Sequence, residues 1–228
     1  MKTFLALTLA ALLGATSLRA GDAHTPRPDL VVRVEDCEAI LREFMANPNT
    51  AIPPSVWQHA RGLMILSQFK AGFIFAVKGG YGVIMVKKPS GRWSLPVLID
   101  ASEASLGLQV GAKSVDTVCI LTDDATPRLL FGSRFNIGVD AKAVAGPSSA
   151  EVESDAKTTF IAPVLVYSKS VGLYAGATVK AGHVERNDDA NFILYNTTYT
   201  LPELLYSDWV TPPTEVQPLM SYVGQLAP

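Results

Sequence analysis

Between Gly62 and Gly182 the chain repeats one pattern: a few apolar or β-branched residues, a glycine, then more of the same. It reads Gly62-Leu63-Met64-Ile65, then Gly72-Phe73-Ile74-Phe75, then Gly79-Gly80-Tyr81-Gly82-Val83. Trp93-Ser94-Leu95-Pro96 and Leu106-Gly107-Leu108-Gln109-Val110-Gly111 continue it. Runs this short, bounded by Gly, Pro or Ser, lack the length of a helix and read as strands with tight connections. The pattern predicts strands near 63–68, 71–78, 81–88, 92–99, 105–113, 115–122, 159–168 and 171–180. Gly79-Gly80-Tyr81-Gly82 then reads as a hairpin turn, and Lys88-Pro89-Ser90-Gly91 as another.

Helical signals lie at the two ends. Val34, Cys37, Leu41, Phe44 and Met45 recur at helical spacing, and Asn47-Pro48 ends that run. Ile52-Pro53-Pro54-Ser55 opens a short helix through Ala60. Asp123-Asp124 caps another through Phe131, Asp188 to Tyr195 reads as a fourth, and Val216 to Gln225 as the last. The predicted class is therefore α+β: a strongly bent antiparallel or barrel-like sheet flanked by N- and C-terminal helices. Ser105-Leu106-Gly107-Leu108 through Ala112 is echoed by Ser170-Val171-Gly172-Leu173 through Ala177. Glycines inside these runs mark bends or close backbone approach.

Residues 1–23 are expected to be a signal peptide. Lys2 is basic, Phe4 to Leu13 is apolar, and small residues allow cleavage after Ala20 or Ala23. The apolar run is too short to span a bilayer. Residues 24–33, with Pro26 and Pro28, are expected as a linker, and 34–228 as one domain. The predicted location is exported, periplasmic or extracellular. Export makes a Cys37–Cys119 disulfide possible, while two buried thiols remain the other reading.

Catalytic signals are poor. Histidine occurs only at His24, His59 and His183. No zinc helix, nucleophile elbow or phosphate-binding loop appears. Asp123-Asp124 and Asp188-Asp189 lack the spacing of a calcium loop. We expect no enzyme, no metal and no cofactor, and a formal net charge of −2 points away from nucleic acid.

Charge is unevenly spread. From Arg61 to Lys113 the bases are Arg61, Lys70, Lys78, Lys87, Lys88, Arg92 and Lys113, against Asp100 and Glu103. Several sit at predicted strand ends, where a sheet gathers them on one rim. Such a rim suits anionic lipid headgroups; edge lysines that keep strands apart are the competing reading.

The order of landmarks resembles the SYLF-domain family. The matching segments are Ile52-Pro53-Pro54, Ala60-Arg61-Gly62-Leu63-Met64-Ile65, Gly79-Gly80-Tyr81-Gly82, Trp93-Ser94-Leu95-Pro96 and Ser105 through Gly111. Ala145-Gly146-Pro147, Tyr167 through Gly176, Asn191 to Asn196, Leu204-Leu205 and Pro212-Pro213 follow in the family's order. The resemblance covers about residues 35–226. It implies a non-enzymatic module that binds phosphoinositides and membranes, and in some eukaryotic members actin. Actin is an unlikely partner for an exported bacterial chain. The alternatives are a hydrophobic-ligand carrier with a lipid tail inside the sheet, and an envelope protein-interaction or structural module.

Overall fold

A computed structural model describes residues 25–72, 75–106, 111–132, 134–146, 162–168 and 182–228; for 69–72, 75–78, 103–106 and 111–114 it describes the backbone alone. The predicted signal peptide, the second copy of the echo and residues 107–110 of the first copy lie outside this set.

The chain opens with helix α1, Arg27–Ala46, and the short helix α2, Pro54–Gln58. Strands β1 (Gly62–Gly72), β2 (Phe75–Val86), β3 (Val97–Leu106) and β4 (Gly111–Leu121) follow. After a 3-10 helix, Thr126–Gly132, come β5 (Arg134–Ile137), β6 (Ala143–Ala145), β7 (Val164–Ser168) and β8 (Gly182–Arg186). Helices α3 (Asp188–Tyr195), α4 (Leu201–Tyr206) and α5 (Gln217–Leu226) complete the described elements. This is the α+β architecture the sequence predicts.

The eight strands form one sheet in the order β5-β8-β3-β2-β1-β4-β7-β6. Every pair is antiparallel except β6 with β7, so the sheet is mixed rather than purely antiparallel. Its curvature follows from the chain path. β5 and β6 are the two outermost strands, yet Ile137 ends one and Ala143 begins the other. Laid flat, eight strands would hold those edges about 34 Å apart, at ~4.8 Å per strand. The intervening residues reach only about 21 Å when fully extended. The sheet therefore curls nearly into a barrel. A bridge between Ile137 and Ala141 tightens the closure, and Gly138 takes the positive φ of 92° that the turn needs.

The core lies where β1, β2, β3, β4 and β7 are apolar on both faces. Leu63 to Leu66, Val83 to Val86, Val97 to Ile99, Val118 to Leu121 and Val164 to Val166 are all buried. One face carries α1. Cys37 Sγ donates to the Ile65 carbonyl at 3.8 Å, and Tyr81 Oη donates to Asp36 Oδ2 at 2.6 Å. The Arg33 guanidinium lies over the Tyr81 ring, 5.3 Å from its centre. Burial, and then the Asp36 carboxylate, push the Tyr81 phenol well above its ordinary range. Burial likewise raises the Cys37 thiol far above normal. Cys37 and Cys119 are both buried and are not joined to each other, so the disulfide does not form.

Three expectations need correction. α1 begins at Arg27, not Val34, so residues 27–33 are helix rather than linker. Proline is tolerated in a first helical turn, and Pro28 sits there. The new start is also anchored, because Arg27 donates to the Leu194 carbonyl at 3.0 Å and pairs with Glu215 at 2.8 Å. Second, Gly79–Gly82 is no turn but the interior of β2, opposite Ser102 to Ile99 on β3. Two long strands replace the three short ones predicted there. Third, β3 starts at Val97 rather than near residue 92, because Arg92 to Pro96 form a connection pinned by the Trp93–Lys87 bridge. The Lys88–Gly91 turn is present, with the Gly91 amide donating to the Lys88 carbonyl at 2.9 Å.

Candidate functional site

The seven predicted binding bases do not share one rim. The hairpin register divides them between opposite ends of the sheet. Gly62 pairs with Val86 on β2 and with Leu121 on β4. That end holds Arg61, Lys87, Lys88 and Arg92. At the other end Lys70 pairs with Lys78 on β2 and with Lys113 on β4. Lys78 and Lys87 are nine residues apart, which is about 30 Å along a strand.

At the first end Lys87, Lys88 and Arg92 each hold a partner within the protein. Lys88 Nζ lies 2.7 Å from Asp208 Oδ1 and also donates to the Ser207 carbonyl. Arg92 NH2 donates to Asp208 Oδ2 at 2.6 Å. Lys87 Nζ donates to the Pro228 carbonyl, and the Trp93 indole donates to the Ala227 carbonyl at 2.8 Å. These contacts fasten the segment after α4, and the C-terminal residues, onto the β2–β3 connection. Trp209, 65% exposed, lies in that segment and packs on Tyr199, with ring centres 5.1 Å apart and planes tilted by 50°.

Asp208 carries two cations on one carboxylate. Its carboxyl is held below its ordinary 3.8, first by the Lys88 hydrogen bond and further by Arg92. A depressed pKa in the folded state means the pairing stabilises above the ordinary value and is lost as pH falls through the depressed one. Tryptophan emission should therefore stay constant from neutral pH down to about 4 and shift below it as the Trp209 segment loosens. Asp208→Asn should remove that acid step. An unchanged step in this variant would assign it to another group.

At the second end the sheet presents a row of like charges. In register order it reads Glu103, Lys78, Lys70, Lys113 across β3, β2, β1 and β4. Like charges directly opposite each other destabilise a sheet. By residue type these register positions hold one acid and three bases. Their surplus is two positive charges, which a multivalent anion would neutralise.

Sequence reasoning found these lysines but missed their arrangement. The row became visible only once Gly79–Gly82 was seen to continue β2, which sets the pairing of Lys70 with Lys78. It also missed Asp208, which lies more than a hundred residues from its cations with no local motif to mark it. Among the described residues no group of His, Cys, Asp and Glu could hold a metal ion. No described helix is long and apolar enough to cross a membrane.

Comparison with known proteins agrees with the family resemblance. A family model described as "Ysc84: Las17-binding protein actin regulator" matches residues 102–226. LAS seventeen-binding protein 3 of Saccharomyces cerevisiae is 36% identical over 171 residues, covering 74% of this chain and 37% of the yeast protein. SH3 domain-containing YSC84-like protein 1 of Xenopus laevis is 32% identical over 187 residues, 79% of this chain and 56% of the frog protein. Its Homo sapiens counterpart is 31% identical over 179 residues, 76% and 52% of the two chains. This chain thus spans roughly a third to a little over half of the length of these relatives. A match over more than half the chain, on a fold with the expected elements, means that the protein belongs to the Ysc84, or SYLF-domain, family.

Proposed function

We propose that this chain is a non-enzymatic membrane-binding module that holds anionic lipid headgroups at the row Lys78, Lys70 and Lys113. The observation that carries the reading is the register, which sets three lysines side by side across neighbouring strands. A phosphate-bearing headgroup is doubly or multiply anionic and would relieve their mutual repulsion. Arg61, Lys87, Lys88 and Arg92 lie at the far end and take no part in it. The reading includes removal of residues 1–23 and work in an extracytoplasmic compartment.

The test is co-sedimentation with phosphatidylcholine vesicles, with and without phosphatidylglycerol, at low and high salt. Wild-type protein should bind only the anionic vesicles and lose binding as salt rises. Lys70→Gln/Lys78→Gln/Lys113→Gln should weaken binding by about a hundredfold, since each base near an anionic surface contributes about 1 kcal/mol. Lys87→Gln should bind like wild type. Equal binding to neutral vesicles, or an undiminished triple variant, would overturn the proposal. The names of the relatives favour a second reading, a protein-binding module. It predicts no lipid preference at any salt concentration.

A further inference from the structure

The end of the sheet that the lipid reading leaves aside contains a cleft of about 480 Å³. It lies between the β2–β3 connection, the Ser207–Pro212 segment and α5. Its volume falls within the roughly 300–1,000 Å³ of small-molecule sites. Trp93, Leu95, Val210 and Met220 line it. Trp93 and Leu95 are buried, so the inner wall is apolar and firmly held.

Lys88, Arg92 and Asp208 supply its charged side chains. Lys88 has a side chain only 8% exposed, while that of Arg92 is 67% exposed. Both reach the same carboxylate, Asp208, so two positive charges face one negative charge at the cleft wall. Asp208 engages Arg92 through NH2 alone. A guanidinium carries five N–H donors in a planar fork, so most of this one remains to serve a second anion. An apolar wall beside a cation with donors in reserve fits one chemistry, an organic carboxylate with an apolar body.

We propose that this cleft binds a monocarboxylate carrying an aliphatic chain, with the carboxylate on Arg92 and the chain against Trp93, Leu95 and Met220. The site is independent of the lysine row.

Gly224 allows a direct test. It lines the cleft, and a Cβ built on it meets nothing within 4 Å. Gly224→Phe therefore adds a ring without a clash at its root, in a helix that tolerates the change. Calorimetric titration of the full chain with decanoate, and in parallel with decanol, is the measurement. Saturable decanoate binding is expected, with decanol at least about tenfold weaker because it lacks the charge. Arg92→Gln should bring decanoate down to the decanol level, and Gly224→Phe should abolish both signals. Circular dichroism and melting of each variant confirm that it is folded. The lysine-row triple variant should bind decanoate like wild type.

No saturable heat with decanoate at millimolar concentration would overturn the site. Undiminished binding to folded Gly224→Phe would do the same. Equal affinity for decanoate and decanol, or for Arg92→Gln and wild type, would overturn the carboxylate assignment.

Discussion

Replacing Asn191 with leucine should lower the melting temperature by roughly 10 °C, with the fold retained but loosened along β3. Asn191 is fully buried on α3. Its Oδ1 accepts from the Leu98 amide at 2.8 Å, and its Nδ2 donates to the Leu98 carbonyl at 2.9 Å and the Asn187 carbonyl at 2.7 Å. β8 pairs with β3 from Ile99 to Ser102, so Leu98 lies one residue past the end of that ladder. The Asn191 amide stands in for the missing strand, offering the donor and acceptor that a backbone would have offered.

Leucine has similar bulk and neither group. Two buried backbone groups would then lose their partners, each at a cost of about 1–3 kcal/mol. Denaturant unfolding should show a loss of about 3 kcal/mol, and the Leu98 amide should gain hydrogen exchange ahead of its neighbours. A loss under about 1 kcal/mol would mean that water or a shifted β8 replaces the side chain.

The second large effect concerns adjacent glycines that the sequence makes look alike. A Cβ on Gly80 would lie 2.1 Å from the Ser67 carbonyl oxygen and 2.7 Å from Gln68 Cα. These are backbone atoms of β1 and cannot swing aside. On Gly79, one residue earlier in the same strand, a Cβ meets nothing within 4 Å. Gly80→Val should therefore force β1 and β2 apart and cost about 3 kcal/mol or more. Gly79→Val should stay within about 0.5 kcal/mol of wild type. The pair is read by urea unfolding of both variants side by side. Equal destabilisation would show that strand propensity, not the approach of β1, governs this stretch.

The same two glycines show where the sequence was legible and where it was not. Alternation and short apolar runs revealed a β-rich chain with helices at its ends, because those periods are local. Asp188 to Tyr195 and the last helix emerged for the same reason. Gly79-Gly80-Tyr81-Gly82 misled because glycine serves two ends, tight turning and close packing of strands. Only the partner strand distinguishes them, and β1 is distant information for a local pattern. The linker reading of 24–33 failed in the same way: Pro26 and Pro28 look like breakers unless the helix is seen to begin between them.

The candidate site divides along this line too. Seven bases between Arg61 and Lys113 could be counted in the sequence, but not sorted. Sorting needed the register of β1 with β2, and it needed Asp208, which claims Lys88 and Arg92 from across the fold. A run of net charge does not distinguish cations held in internal pairs from cations set against each other. The lysine row and the cleft owe their separate identities to that distinction.

The join between the outermost strands carries a meaning for the life of the protein in a crowded solution. An open sheet ends in unspent amides and carbonyls, which invite a strand from another molecule to add on. Here β5 and β6 are drawn together through the few residues after Ile137, with one bridge from Ile137 to Ala141 in the join. A chain so rich in β-forming apolar segments would otherwise present two growth points for fibrous assembly. By holding the two borders close, the small turn at Gly138 leaves less room for a foreign strand to add on at either one.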